Sequence, residues 1–291
     1  MAWSPEQAYG TYPQAEQEFS AALDESLHPH GPGQLLDLVA AMGLPPGAVA
    51  LDVGCGEGCH ALVLHQRFGF RVTGIDPVPR HIQAARAAAG QDGPAFGPGT
   101  AEDIPASPGT VDLVWCRDVL VHSPDLPRAY AEFRRVLRPG GRALVYQMIG
   151  TELLEPCEAA WLFETMGVVP ANADPARTEA AIGAAGLRVD QCLAVGTEWG
   201  EWAQEQHGHG GRKLLHAARL RRHPARYIDR FGRAAYDLML GDCLWAVYAL
   251  SGKLTRRIYL LSSPGTAPGS GTDRLPSPPG LFSAGSGGRQ A

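Results

Sequence analysis

The chain has 291 residues, a formal net charge of -5, 45% hydrophobic and 19% charged side chains, 36 glycines and 24 prolines. That composition excludes a fibrous or wholly unfolded protein, and the length suffices for one large domain with a buried core plus a smaller cap. The acidic balance disfavours a general nucleic-acid binder, and no apolar run approaches the roughly 18 residues of a membrane span. With no leader pattern at residues 1–10 and six scattered cysteines without a C-x-x-C pair, a soluble, cytoplasmic protein with reduced thiols is expected.

Residues 1–47 precede the first strand pattern. An amphipathic stretch at 14–26 followed by a Pro/Gly hinge at 29–33 predicts an N-terminal helical cap or lid. Short β-branched runs then predict strands at 48–55, 71–76, 94–100, 111–117 and 142–149, with helical spacing between them at 58–68, 79–89 and 125–137. Such alternation predicts an α/β fold, a parallel sheet covered by helices on both faces. Arg138-Pro139-Gly140-Gly141 reads as a helix stop followed by a turn.

Further along, the pattern predicts cap insertions at about 150–174 and 200–252, a short helix at 175–185, a strand at 188–195 extending toward Trp199, and a last strand at 257–262. The domain proper thus runs from 48 to 262. Tyr227, Phe231, Ala234, Leu238, Trp245 and Ala249 recur at helical spacing and predict one buried face. Residues 263–291 are rich in Gly, Pro and Ser and read as a disordered tail.

The most informative segment is Asp52-Val53-Gly54-Cys55-Gly56-Glu57-Gly58, a buried strand running into a glycine loop that opens a helix. Glycines at alternate positions let a ligand approach the main chain with no Cβ in the way. The spacing departs from the dinucleotide fingerprint G-x-G-x-x-G, which disfavours NAD. Asp76 ends the next strand, where a carboxylate can accept both hydroxyls of a ribose lacking a 2′-phosphate.

Five motifs in order resemble the class I S-adenosylmethionine-dependent methyltransferases, particularly those acting on small molecules. They are the glycine loop, Asp76, Gly99-Thr100-Ala101-Glu102-Asp103-Ile104-Pro105, Val111-Asp112-Leu113-Val114, and Leu137-Arg138-Pro139-Gly140-Gly141, and they cover about residues 48–150. The resemblance implies a Rossmann-like, mostly parallel sheet of seven strands, the last antiparallel, flanked by helices and carrying a helical cap. It implies S-adenosyl-L-methionine as cofactor, with Gly54, Gly56 and Gly58 along its methionine and ribose parts and Asp76 on the ribose hydroxyls. Asp103, with the Ile104 backbone and side chain, would hold the adenine; Cys116 or Arg117 would lie near the methionine moiety. Asp52 and Glu102, from the same motifs, are counted with the cofactor-binding residues.

A sulfonium methyl is already electrophilic, so the protein must mainly align a nucleophile and remove its proton. His122, in Arg117-Asp118-Val119-Leu120-Val121-His122 beyond the fourth strand, is the candidate base. Glu152, Glu155, Glu158 and Glu164 in the insert are weaker candidates. His207, His209 and His216 lack a carboxylate or cysteine at a recognisable ligand spacing, so no metal is expected. Trp199, Trp202, Tyr227, Tyr236, Trp245 and Tyr248 could line the cap for an aromatic acceptor, and the Arg-rich run at 212–233 could clamp an anionic one. Two alternatives stand beside methyl transfer: a non-catalytic protein that binds the cofactor, or an enzyme of this fold running another reaction. Acceptor identity, the methylated atom and oligomeric state have no motif.

Overall fold

The structure is a computed structural model describing residues 4–265. Residues 1–3 and 266–291, with most of the expected tail, lie outside the described residues. The strands are β1 (Val49–Val53), β2 (Arg71–Ile75), β3 (Ala95–Gly97), β4 (Val111–Arg117), β5 (Leu137–Gly150), β6 (Arg188–Ala194) and β7 (Leu254–Ser262). They form one seven-stranded sheet in the order β3-β2-β1-β4-β5-β7-β6. Neighbours from β3 through β5 are parallel, whereas β7 runs antiparallel to both β5 and β6. This is the expected Rossmann-like sheet. Its strand order reverses between β1 and β4, and in such sheets ligands bind beyond the carboxyl ends of the strands at that point.

β4 shows why the sheet is two-faced. Its residues are buried from Val111 to Cys116, as a central strand covered on both sides must be. Val114 and Cys116 join one core cluster with α5 (Leu126–Val136), while Leu113 and Trp115 join the other with α3 (Cys59–Phe68) and α4 (Pro79–Ala89). In α5, Asp125 caps the first turn by accepting the Arg128 N–H, and Leu126, Ala129, Tyr130, Phe133 and Val136 form the buried stripe.

Two motifs of the resemblance are scaffold. Asp112 accepts the Val49 N–H at 2.7 Å through Oδ2 and pairs with Arg138. The segment expected as a stop and turn is absorbed into β5, because Leu137 already pairs with Val111. Gly140 donates to the Ser263 carbonyl and Ser263 to that of Gly141, both at 2.9 Å, so strand pairing passes the expected start of the tail.

The 1–47 segment divides. Its first helix, α1 (Pro5–Leu23), is long and carries exposed Tyr9, Tyr12 and Phe19, but α2 (Gln34–Ala41) buries Leu35 and Val39 in the sheet's core. The second half of the expected lid is therefore core, since its Leu/Val positions fall on one helical face. Beyond β5 come α6 (Pro156–Met166) and α7 (Pro175–Ala184); beyond β6, which stops before Trp199, come α8 (Glu198–His207), α9 (His209–Arg222), α10 (Pro224–Phe231) and α11 (Arg233–Leu250). Helices α6, α9 and α11 share a third core cluster. The apolar stripe expected from Tyr227 to Ala249 is broken at Gly232, whose φ of 86° ends α10. Phe231 and Leu238 are consequently exposed, while α11 buries Ala249 as expected and, with it, Tyr236, Leu240, Cys243 and Leu244. Among the described residues no helix is long and apolar enough to cross a membrane.

Candidate active site

The glycine loop joins β1 to α3, and its three glycines serve different ends. A Cβ on Gly54 would collide with Val119 Cγ2, and one on Gly58 would meet Phe96 Cζ at 2.7 Å. Gly56, at a left-handed φ of 52°, has nothing within 4 Å of that position, so its main chain faces open space. Its N–H donates to Asp76 Oδ2 at 3.0 Å, while Asp76 Oδ1 accepts from the Val78 N–H at 2.9 Å and from His81 Nδ1 at 3.1 Å. The carboxylate is thereby fixed at the end of β2 beside the loop.

Asp52 lies under that loop, buried, and its Oδ2 has no hydrogen-bond partner among the described residues. Burial pushes its carboxyl up to about 7, against the opposing Ala61 N–H; nearby Asp76 reinforces the shift and Arg117 opposes it. His60, the second residue of α3, is pushed down to about 4 by burial and by Arg117. Arg117 Nη1 donates to His60 Nε2 at 2.6 Å, which a neutral ring with its proton on Nδ1 accepts. A buried carboxyl with one oxygen unpartnered, an open main-chain cradle and an anchored Asp76 fit a nucleoside with a cationic amino acid tail.

The adenine side differs from expectation. Asp103 is exposed on a turn bridged to Thr100. The Ile104 N–H, however, already donates to Glu132 Oε2 at 2.9 Å, and its side chain is buried in the core. Glu102 accepts the Ser123 hydroxyl. Cys116 is wholly buried in the core, and burial raises its thiol well above the ordinary range. Strand alternation explains this: of the two residues expected near the methionine moiety, Arg117 reaches the cleft and Cys116 points into the α5 layer.

Beside this site a cavity of about 440 Å³ opens between the ends of β4 and β5 and helices α8, α9 and α11. Arg117, Asp118, Tyr146, Trp199, Trp245 and Arg256 line it. Tyr146 stacks on Trp199 at 5.0 Å, lies under the Arg117 guanidinium at 5.6 Å, and its hydroxyl accepts from Arg256 Nε at 2.8 Å. Asp118 adopts a left-handed φ of 61°, a strained state for a residue with a Cβ, and its N–H donates to the Tyr146 carbonyl at 2.9 Å. Its Oδ1 finds no partner among the described residues. Burial raises its carboxyl, with Arg117, Arg256 and His122 opposing.

His122 stands outside the residues lining that cavity. It ends a 3₁₀ turn (Leu120–His122), is exposed, and its Nδ1 lies 2.8 Å from the Gly167 carbonyl, so Nδ1–H donates and Nε2 is the basic nitrogen. The turn is held by buried Asn172, whose Nδ2 donates to the carbonyls of Leu120 at 3.0 Å and Ser123 at 2.7 Å. Glu158 is tied to Lys253 and to the Tyr248 hydroxyl, far from any cleft role. The expected aromatic lining splits in two: Trp199 and Trp245 face this cavity, whereas Tyr227 and Tyr236 line a second one of about 560 Å³ among α9, α10 and α11. Arg212, Arg219, Arg221, Arg222, Arg226, Arg230 and Arg233 are exposed. The clamp expected from that run is absent from the cavity, and Arg256, which sequence reading passed over, stands there instead.

Comparison with known proteins places this geometry. Residues 51–145, about a third of the chain, match the family described as the methyltransferase domain, in keeping with the resemblance that the motifs carry. Among curated relatives, the 2-methyl-6-phytyl-1,4-hydroquinone methyltransferase of Synechocystis is 37% identical over 103 residues, 35% of this chain and 32% of that protein. The chain spans about a third of the length of the first such relatives. Among solved structures, a sarcosine dimethylglycine methyltransferase from Galdieria sulphuraria superposes with a TM-score of 0.61 at 18% identity, over 79% of this chain and 84% of that one. The [4+2]-cyclase SpnF superposes with a TM-score of 0.63 at 21% identity, over 91% and 98%. Both share the fold.

Proposed function

We propose that the protein transfers the methyl group of S-adenosylmethionine to a small molecule held in the cavity under α8, α9 and α11. One observation carries the reading: Arg117, which walls the cavity together with Asp118, reaches His60 at the start of the helix that the glycine loop opens, and so links the cavity to the element carrying the Gly56–Asp76 clamp. When bound, S-adenosylmethionine supplies an electrophilic methyl group on a sulfonium. Asp76 would accept the ribose hydroxyls, Asp52 would meet the ammonium, and Asp103 would meet the adenine amine. Asp118 Oδ1 receives the proton of the attacking hydroxyl or amine, since a carboxylate raised by burial is a better base than an exposed one. His122, within electrostatic reach of Asp118, is the second candidate base. Free thiols at all six cysteines support a reducing, cytoplasmic setting.

The solved relatives support the cofactor assignment: one is a geranyl diphosphate C-methyltransferase with S-adenosyl-L-homocysteine. The likeness to a cyclase favours the second reading, a reaction other than methyl transfer on the same fold. Incubating the protein with S-adenosylmethionine and a panel of phenols, amines and acids separates them by mass spectrometry. Methyl transfer predicts S-adenosylhomocysteine released in step with a methylated acceptor; acceptor conversion without it would favour the second reading.

A further inference from the structure

The cavity beside the glycine loop carries three polar atoms that the protein leaves unmatched. Arg256 Nη1, Arg117 Nε and Asp118 Oδ1 are buried and have no hydrogen-bond partner among the described residues, and all three residues line the same space. Buried polar groups are otherwise paired, and leaving charged ones unpaired is costly, so a site that keeps three of them is suited to a ligand. The two guanidiniums against one carboxylate leave a single positive charge on the wall. Asp242, also on the wall, is neutralised by Lys213.

The orphan atoms sort by position. Arg256 projects from β7 opposite Met148, with its Nε already committed to the Tyr146 hydroxyl, so its orientation is set before a ligand arrives. Asp118 stands at the end of β4, beside Arg117, on the side of the glycine loop. The stacked Tyr146–Trp199 pair and Trp245 line the same cavity, flat apolar surfaces suited to a ring. A planar carboxylate matches a guanidinium edge and supplies the one negative charge that the wall lacks.

We infer that the acceptor is a small aromatic acid that enters with its carboxylate against Arg256 and presents a hydroxyl or amino group to Asp118. The anion reader is thus a single half-buried arginine of the last strand, and the exposed arginines of 212–233 take no part. This deepens the methyl-transfer reading above and rests on it for the word acceptor; the binding site itself does not.

The test uses the full chain and four probes: 4-hydroxybenzoate and 3-aminobenzoate, each beside its neutral amide, titrated calorimetrically with and without saturating S-adenosylhomocysteine. Each acid is expected to bind at least about tenfold more tightly than its amide. In Arg256→Gln that preference should fall to about one, with S-adenosylhomocysteine affinity within about twofold of wild type. Arg256→Lys, which keeps the charge without the fork, should retain part of the preference and guards against misfolding. Equal binding of acids and amides, binding of neither, or an undiminished preference in Arg256→Gln would overturn the inference. So would loss of S-adenosylhomocysteine binding in Arg256→Gln, which would assign the arginine to the cofactor's own carboxylate. Failure of wild type to bind S-adenosylhomocysteine while the Arg256-dependent preference persists would bring down the methyl-transfer reading and leave the acid site standing.

Discussion

The glycine-loop side of the cleft and the cavity under α8, α9 and α11 adjoin, yet they are assembled from opposite kinds of contact. On the loop side, Gly56 and Asp76 are 20 residues apart and meet through one β-α-β unit. In the cavity, Tyr146 and Arg256 meet across 110 residues, brought together only by the antiparallel pairing of β5 with β7. Loop-side chemistry is written in backbone conformation and a carboxylate at a strand end, which local sequence specifies. Cavity chemistry is written in residues from six elements, β4, β5, β7, α8, α9 and α11, and helical caps can be exchanged on the same sheet without touching the first set. The difference teaches that cofactor and acceptor recognition can vary independently here, and each prediction below probes one side while reading the other.

The largest effect is expected at Asp118. Asp118→Asn keeps a residue that tolerates the left-handed backbone, and should lower turnover by about 10²–10⁴ with S-adenosylhomocysteine affinity unchanged in calorimetry. His122→Ala should lower it less. Full activity in Asp118→Asn with none in His122→Ala would exchange the two roles.

Asp52 is next, and its sign can be worked out. Its folded carboxyl lies at about 7 against 3.8 in the unfolded chain, so the native state holds a proton that the unfolded state has lost between those values. Its contribution is therefore most favourable below about pH 4 and is lost as pH rises to about 7, a difference of up to about 4 kcal/mol. Denaturant melts of wild type minus Asp52→Asn should show that slope. Because an ammonium pairs only with the ionised carboxylate, S-adenosylhomocysteine affinity should rise between pH 6 and 8 in wild type and stay flat in Asp52→Asn.

Smaller still is Tyr146→Phe, which removes the anchor of Arg256 Nε. Acceptor KM should rise by about three- to tenfold, the worth of one ordinary hydrogen bond, with the cofactor KM unmoved. Arg230→Ala, on the exposed run, should change neither stability by more than about 0.5 kcal/mol nor any KM. A raised acceptor KM there would return the basic helices to the substrate site.

What the sequence made legible follows the same division. The alternation of strands and helices was readable from local pattern, whereas the count of seven strands with the last antiparallel came from the resemblance that the motifs carry. Ile104 and Cys116 sit otherwise than the resemblance implies, for reasons the sequence hides: Glu132, on α5, occupies the Ile104 N–H, and the register of β4 turns Cys116 into the core and Arg117 into the cleft. The broken stripe at Gly232 shows how one glycine in a helical pattern shifts which face is buried. Arg256 had no local signal at all, since an arginine in an ordinary strand becomes a site residue only once β7 pairs with β5.

The side-by-side arrangement of nucleoside clamp and cavity is tested most directly by calorimetric titration of S-adenosylhomocysteine into wild type and Asp76→Ala. Wild type should bind at a single site, and the variant should lose at least about tenfold in affinity, the worth of one charge-assisted hydrogen bond to ribose. Absence of binding to wild type, or equal affinity in the two proteins, would contradict it.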